Sequence, residues 1–420
     1  MPNRTYRCCL PLVLVFLCVP LAPAAEPRLP ADTKTIVDPN TAFALDLYRH
    51  LARDSAGENL FISPFSISTA LAMTYEGARG RTAEEMAAAL WPAEGAGGKA
   101  ARNWPNDRIH AALGTLTRWL NRKGRPYQLA VANALWGERT FPFRQAFVRD
   151  LGRHYGAGLF GVDFIGAPEV SRKRINLWVA DQTNRRIKDL LPQGVIKPDT
   201  RLVLTNAIYF KGDWARQFDE KHTRSQPFTL ADGTKVETPL MFQREARFGF
   251  FGGSGFQALE LPYKGEALSM VVLLPDKPDG LAALEKSLSR ANLAAWLGKL
   301  RQQDVNVWLP KFKLETEFEL KETLAAMGMK RAFVPGQADF TGLSDSPQAR
   351  RLFISAVRHK AFVEVNEEGT EAAAATAVVI QLESVRIVPQ FRADHPFCFL
   401  IRDRQTGSIL FLGRMMSPAK

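Results

Sequence analysis

Hydrophobic positions change their period partway along the chain. Between residues 40 and 190 they recur mainly at helical spacing. Phe43, Leu47 and Leu51 share one helix face, after Asn40 and Thr41 as candidate caps. Residues 64–75 are apolar with a proline at the first turn, which suits a buried helix. Thr82 and Glu85 have capping-box spacing before an Ala-rich helix through Leu90. Residues 95–98 form a loop, and helices are predicted over 109–120, 143–155 and 170–188. Beyond residue 200 the pattern becomes that of strands, over 202–210, 248–261, 268–274, 304–312, 352–366, 397–402 and 409–414. Asp232-Gly233, Pro275-Asp276 and Thr406-Gly407 supply turns, and two helices interrupt near 281–300 and 317–327. No linker-like stretch and no internal repeat divides the chain, so one mixed α+β domain with large sheets is expected.

Residues 367–380 fit neither period cleanly. Four consecutive alanines favour a helix by propensity. Yet positions 370, 372, 374, 376, 378 and 380 are Thr, Ala, Ala, Thr, Val and Ile, all uncharged and none larger than Ile. Side chains alternate faces along a strand, so this segment can enter the middle of a sheet without burying a charge. No proline intervenes before Pro389.

With 420 residues, 46% of them hydrophobic, the chain can bury a large core. The net charge of +12 is spread along the sequence and favours anionic partners only in a general way. Arg4, Arg7 and the apolar run over 8–19 have the form of an export signal, with Ala22-Pro23-Ala24 as its cleavage site. Residues 1–24 are therefore expected to be a signal peptide and the protein to be secreted, extracellular or periplasmic. Of the four cysteines only Cys398 lies beyond that segment, in an apolar run, which makes it a buried hydrophobe and leaves no internal disulfide. The sequence has no Gly-x-Ser-x-Gly, His-Glu-x-x-His, Cys-x-x-Cys, phosphate-loop or dinucleotide signature, and its six histidines show no metal spacing. No catalytic residue, metal site or cofactor is assigned.

Several stretches together resemble the serpin family of serine protease inhibitors over essentially all of residues 25–420. They are Asn59-Leu-Phe-Ile-Ser-Pro-Phe-Ser-Ile-Ser68, Leu204-Thr-Asn-Ala-Ile-Tyr-Phe-Lys-Gly-Asp-Trp214, Val307-Trp-Leu-Pro-Lys-Phe312, Phe340-Thr-Gly-Leu-Ser344, His395-Pro-Phe397 and Phe411-Leu-Gly-Arg414. The resemblance implies a single domain with three β-sheets, eight or nine helices and an exposed reactive loop over about 367–392. It implies an inhibitor rather than an enzyme, one that forms a covalent complex with a serine or cysteine protease and acts as a monomer. The Ala- and Arg-rich composition points to a bacterial source.

Site residues follow by motif. Ser63, Pro64, Ser66, Asn206 and His359 match the family's shutter, where the central sheet must part. Trp214, Lys311 and Glu367 match the breach, where the loop first inserts. Glu367, Glu368, Gly369, Thr370, Glu371, Ala372, Ala373, Ala374 and Ala375 match the inhibitory hinge. Counting from Glu367 as the first residue, the seventeenth is Glu383, which makes Glu383–Ser384 the expected reactive bond, with Leu382 or Arg386 as alternatives. A non-inhibitory carrier, chaperone or storage protein of this family is the main rival, but its hinge departs from small residues and this one does not. An exported hydrolase lacks a recognisable nucleophile and base. Arg118, Arg122, Lys123 and Arg125 form a candidate polyanion surface, although a charge run is more often a solvated face.

Overall fold

The computed structural model describes residues 29–92, 103–122, 124–156, 158–369 and 388–418. Helices dominate the first part: α1 (Ala31–Asp54), β1 (Leu60–Ile62), α2 (Pro64–Tyr75), α3 (Gly80–Leu90), α4 (Asn106–Leu120), β2 (Tyr127–Glu138), α5 (Gln145–Tyr155), β3 (Leu159–Val162) and α6 (Pro168–Gln182). Then come β4 (Leu202–Gly212), β5 (Arg224–Thr229), β6 (Lys235–Gly252), β7 (Phe256–Pro262), β8 (Leu268–Pro275), α7 (Leu281–Ser287) and α8 (Arg290–Lys299). The chain closes with β9 (Arg301–Pro310), β10 (Phe312–Glu319), α9 (Lys321–Ala326), β11 (Val357–Val365), β12 (Gln390–Arg392), β13 (Phe397–Asp403) and β14 (Ile409–Met415).

Local expectations were overridden where tertiary bonds were available. The first helix begins at Ala31 and runs through Pro39, so Asn40 and Thr41 are interior rather than caps. Thr82 and Glu85 do not form a capping box. Thr82 Oγ1 accepts from the Asp339 amide at 2.9 Å, and Glu85 Oε2 accepts from the Arg331 amide at 2.7 Å. The stretch expected as a strand over 248–261 is the end of β6, a turn, and β7. Residues 317–319, expected as helix, complete β10.

The five-stranded sheet has the order β10-β11-β4-β2-β3. Its centre is a parallel pair, β11 beside β4, flanked by antiparallel partners. The other sheet has nine strands, and β6 shifts register between Gln243 and Ala246. β5 pairs with the first half of β6 and β7 with its second, while β9 runs along both halves and carries β12 on its far edge; β8, β13, β14 and β1 continue outward from β7. The second and third of the three sheets expected are thus joined through β6 and β9 into one hydrogen-bonded network among the described residues. One large hydrophobic core fills the space between sheets and helices. Two smaller clusters lie under α6, where Val179 meets Ala207, Tyr209 and Phe362, and Ile175 meets Trp136 and Val203. Both faces of the five-stranded sheet are therefore covered along β2, β4 and part of β11, as a parallel centre requires, while the edge strand β10 leaves Lys313 and Glu315 exposed.

Candidate functional site

The first polar cluster lies at the centre of the five-stranded sheet, where β11 and β4 meet α2. Ser63 caps α2, its Oγ accepting from the Ser66 amide at 3.3 Å, and Pro64 occupies the first turn, where a missing N–H leaves nothing unsatisfied. The Ser63 amide donates to His359 Nε2 at 3.1 Å. The other ring nitrogen, Nδ1, therefore carries the hydrogen and donates to Asn206 Oδ1. Asn206 Nδ2 donates to Ser66 Oγ at 2.7 Å, and Ser66 Oγ donates to Asn133 Oδ1 at 3.0 Å. Ser63 Oγ donates to the Leu410 carbonyl at 2.6 Å. One chain of hydrogen bonds thus joins β11, β4, β2, α2 and β14. Burial pushes the His359 imidazole down to about 3, so it is neutral, as its single-donor geometry requires.

The second cluster lies at the end of the same strand pair. The parallel ladder runs from Val357 opposite Leu204 to Phe362 opposite Tyr209. Beyond it both strands continue, and a cavity of about 360 Å³ opens between residues of the two strands and their neighbours, among them Tyr209, Lys211, Phe362, Glu364 and Lys311. Glu367 and Glu368 also line it. One Glu367 carboxylate oxygen accepts from Lys311 Nζ at 2.8 Å and the other from Thr223 Oγ1 at 2.7 Å. Burial raises the pKa of this carboxyl, but the bonds from Lys311 and Thr223 outweigh it and hold the group below its ordinary range. The Trp214 amide donates to the Glu368 carbonyl and its indole to the Asn366 carbonyl, each at 3.0 Å. The indole stacks on Tyr263 with centroids 4.6 Å apart. Gly369 has φ +102°, and a Cβ there would stand 2.1 Å from the Trp214 backbone nitrogen. Only glycine fits that turn without a shift of backbone.

The sequence-predicted residues are thus brought together in two groups: Ser63, Pro64, Ser66, Asn206 and His359, and Trp214, Lys311 and Glu367 with Glu368 and Gly369. Thr370, Glu371, Ala372, Ala373, Ala374, Ala375, Leu382, Glu383, Ser384, Arg386 and the N-terminal segment 1–24 lie outside the described residues. Asn133, Thr223 and Tyr263 were missed. Asn133 interrupts an apolar strand, which is a readable sign of a polar network; Thr223 and Tyr263 carry no such signal. The candidate polyanion surface is largely engaged in folding contacts. Arg118 donates to the His154 carbonyl at 2.9 Å, while Arg122 and Arg125 lie over the Trp119 ring at 4.0 and 5.1 Å; Lys123 lies outside the described residues. Among the described residues no group of three or more acidic, histidine or cysteine side chains could hold a metal ion.

Residues 38–418 match the family described as serpin (serine protease inhibitor). The chain is 44% identical over 384 residues to a leukocyte elastase inhibitor of Xenopus laevis, covering 90% of this chain and 98% of that one. It is 41% identical over 387 residues to serpin B6 of Macaca fascicularis, covering 91% and 99%. The solved structure of Arabidopsis AtSerpin1 in its native stressed conformation superposes with a TM-score of 0.82 at 29% identity, covering 93% and 100%. The chain belongs to the serpin family, and its kinship is with protease inhibitors rather than enzymes. Two expectations fall here. The two sequence relatives named are vertebrate and give a bacterial source no support. The secreted localisation is overturned as well: the relatives are covered almost end to end, the family match begins at residue 38, and the leader-like segment that carried the export reading has no counterpart in that match.

Proposed function

We propose that this chain is a suicide-substrate inhibitor of serine endopeptidases. The target's serine oxygen attacks the carbonyl carbon of the reactive bond, the C–N bond breaks, and the new amino terminus leaves. The acyl-enzyme is then trapped as the cleaved loop enters the five-stranded sheet. The observation that carries this reading is the opening at the ends of β11 and β4, lined by Glu367, whose ion pair with Lys311 is read as its gate; a segment of alternating small uncharged residues follows in the sequence. A strand continuing back from Gly369 runs antiparallel to both β11 and β4. It replaces one parallel ladder with two antiparallel ones, the more stable pairing. Thr370, Ala372, Ala374, Thr376, Val378 and Ile380 then share one face of an inserted strand and Glu371 takes the other. A dozen inserted residues contribute on the order of 10 kcal/mol if each new hydrogen bond nets about 1.

The reactive bond is proposed as Glu383–Ser384, with Leu382–Glu383 or Arg386–Ile387 as the competitors. Similarity to leukocyte elastase inhibitors favours elastase-type enzymes as first targets, and these suit Leu382 better than Glu383. Incubation with elastase-, trypsin-, subtilisin- and glutamyl-specific proteases should give an SDS-stable complex with at least one. Loop cleavage without complex by every enzyme that cuts the chain sinks the inhibitor reading. Mass spectrometry of the small C-terminal fragment identifies the bond. A fragment beginning at Ser384 supports the first choice, and one beginning at Glu383 or Ile387 replaces it.

A further inference from the structure

We propose that His395 is a positioning residue for the C-terminal stem of the reactive loop: as an imidazolium bridging Asp394 and the Pro275 carbonyl it clamps β12 to its sheet, and loss of its proton loosens that strand. The stem is a weak element by construction. β12 has three residues at the end of its sheet, paired in parallel with β9 through Gln390, Phe391 and Arg392. Its backbone anchorage includes the Asn306 amide on the Pro389 carbonyl at 2.9 Å, the Ala393 amide on the Trp308 carbonyl at 3.0 Å and the Thr229 amide on the Asp394 carbonyl at 2.7 Å. A short edge strand leans on its side chains for the rest.

Those side chains form a relay that ends on His395. Arg392 lies over the Trp308 ring and donates to Gln226 Oε1 at 2.6 Å and to Asp394 Oδ2 at 2.6 Å. The other oxygen, Asp394 Oδ1, is 3.0 Å from His395 Nδ1. His395 Nε2 is 2.6 Å from the Pro275 carbonyl at the end of β8. Both ring nitrogens face groups that can only accept, and the two bonds are made together only when both nitrogens carry hydrogen. In the neutral ring the carbonyl retains the Nε2 hydrogen, and the Nδ1 lone pair then faces a carboxylate lone pair at the same 3.0 Å. The bridge between Asp394 and β8 turns from attractive to repulsive at the base of β12. The charged groups in this arrangement are Asp394 and Arg392 on the stem and Asp276, which follows Pro275 at an exposed position. β5 contributes the neutral Gln226 and Thr229, and β9 contributes Trp308. Burial raises the Asp394 pKa, but the bonds from His395 and Arg392 outweigh it and leave the carboxyl below its ordinary range, so it is ionised throughout the histidine range.

Only the consequence for inhibition rests on the inhibitor reading; the clamp can be tested without it. Native-state hydrogen exchange of the full chain, converted to protection factors, is read at the Ala393 and Thr229 amides at pH 6 and pH 8.5. The wild type should lose protection at least tenfold at the higher pH. Asp394→Asn lets the amide donate to a bare Nδ1, and His395→Gln cannot titrate, so neither variant should lose protection by more than about twofold. In parallel, the half-life of complex-forming activity at 37 °C should shorten at pH 8.5 in the wild type and not in Asp394→Asn. Equal wild-type protection at both pH values, or an undiminished loss in Asp394→Asn, overturns the clamp. Absence of any protease complex at either pH refutes the inhibitor reading instead and leaves the exchange result standing.

Discussion

Glu367 is nearly buried, with 4% of its side chain exposed, yet its partner Lys311 is 39% exposed. The pair is therefore worth less than a fully buried one, and its value lies mainly in not leaving the carboxylate alone. Glu367→Lys sets two cations against each other in the lining of the opening. We expect a loss of about 1–3 kcal/mol and faster oligomer formation on heating; an unchanged monomer fraction after a heat ramp would count against the gate. The two clusters also respond to pH in distinguishable windows. The Glu367 carboxyl is held low, so its contribution is present above 4.5 and is lost as pH falls through the lower folded value. His359 is a base whose folded value, about 3, lies below its ordinary value of 6.5. Between these values the unfolded chain holds a proton that the native one does not, so stability is complete above 6.5 and declines as pH falls toward 3. The decline should reach on the order of 1 kcal/mol per pH unit. Denaturant unfolding at pH 6.5 and 5, where the Glu367 contribution is constant, should show this slope in the wild type and a flatter one in His359→Asn; parallel slopes refute the buried neutral histidine. Sequence alone could place these polar residues on a motif. It could not supply Thr223 or Tyr263, since their roles depend on which strands the fold sets beside one another.

At the level of elements, alternation was legible where one face is buried and lost where both are. Phe312, Leu314, Thr316 and Phe318 alternate with Lys313, Glu315, Glu317 and Glu319, so β10 could have been read to its end. The interior strand β2, by contrast, carries Ala130, Val131, Ala132, Asn133 and Ala134, residues too alike in size to show a period. In the parallel β11–β4 pair, β4 was legible as an apolar run and β11 only as a strand with charged residues in it, while the open end beyond Phe362 was not, because it depends on how the turn ending at Gly369 packs on Trp214. That turn is the element most sensitive to a single methyl group. Gly369→Ala meets both a positive φ and the Trp214 backbone, with a cost of about 2 kcal/mol. The Trp214 amide bond to Glu368 should weaken with it. Calorimetry of the native form should show a lower transition and exchange at the Trp214 amide should quicken; a variant that matches the wild type in both removes the turn from the gating argument.

For the whole molecule the proposed function makes the native form a kinetically held state, stable because the gate and the central cluster are closed rather than because it is lowest in free energy. Covered on both faces along β4 and part of β11, the five-stranded sheet can accept a new strand only if that strand brings uncharged side chains to its core face, which the even positions of 370–380 supply. Cleavage in the loop should therefore raise the unfolding temperature. With an unfolding entropy near 2 cal/mol/K per residue, a chain of this size gains roughly 10 °C or more from about 10 kcal/mol. Ala374→Arg is the matched control. It places a charge on the core face of the inserting strand, where burial without a partner is costly. The variant should be cut at the same bond, form no SDS-stable complex and show little of the thermal gain. Three transitions measured side by side (uncut, cut, and cut Ala374→Arg) separate insertion from simple nicking. If the cut wild type unfolds no higher than the uncut chain, the loop does not enter the sheet and the trapping mechanism fails, whatever protease made the cut. If the cut variant rises as far as the cut wild type, insertion occurs but its register is not the one assigned from Gly369, and the reactive bond has to be counted again from the fragment.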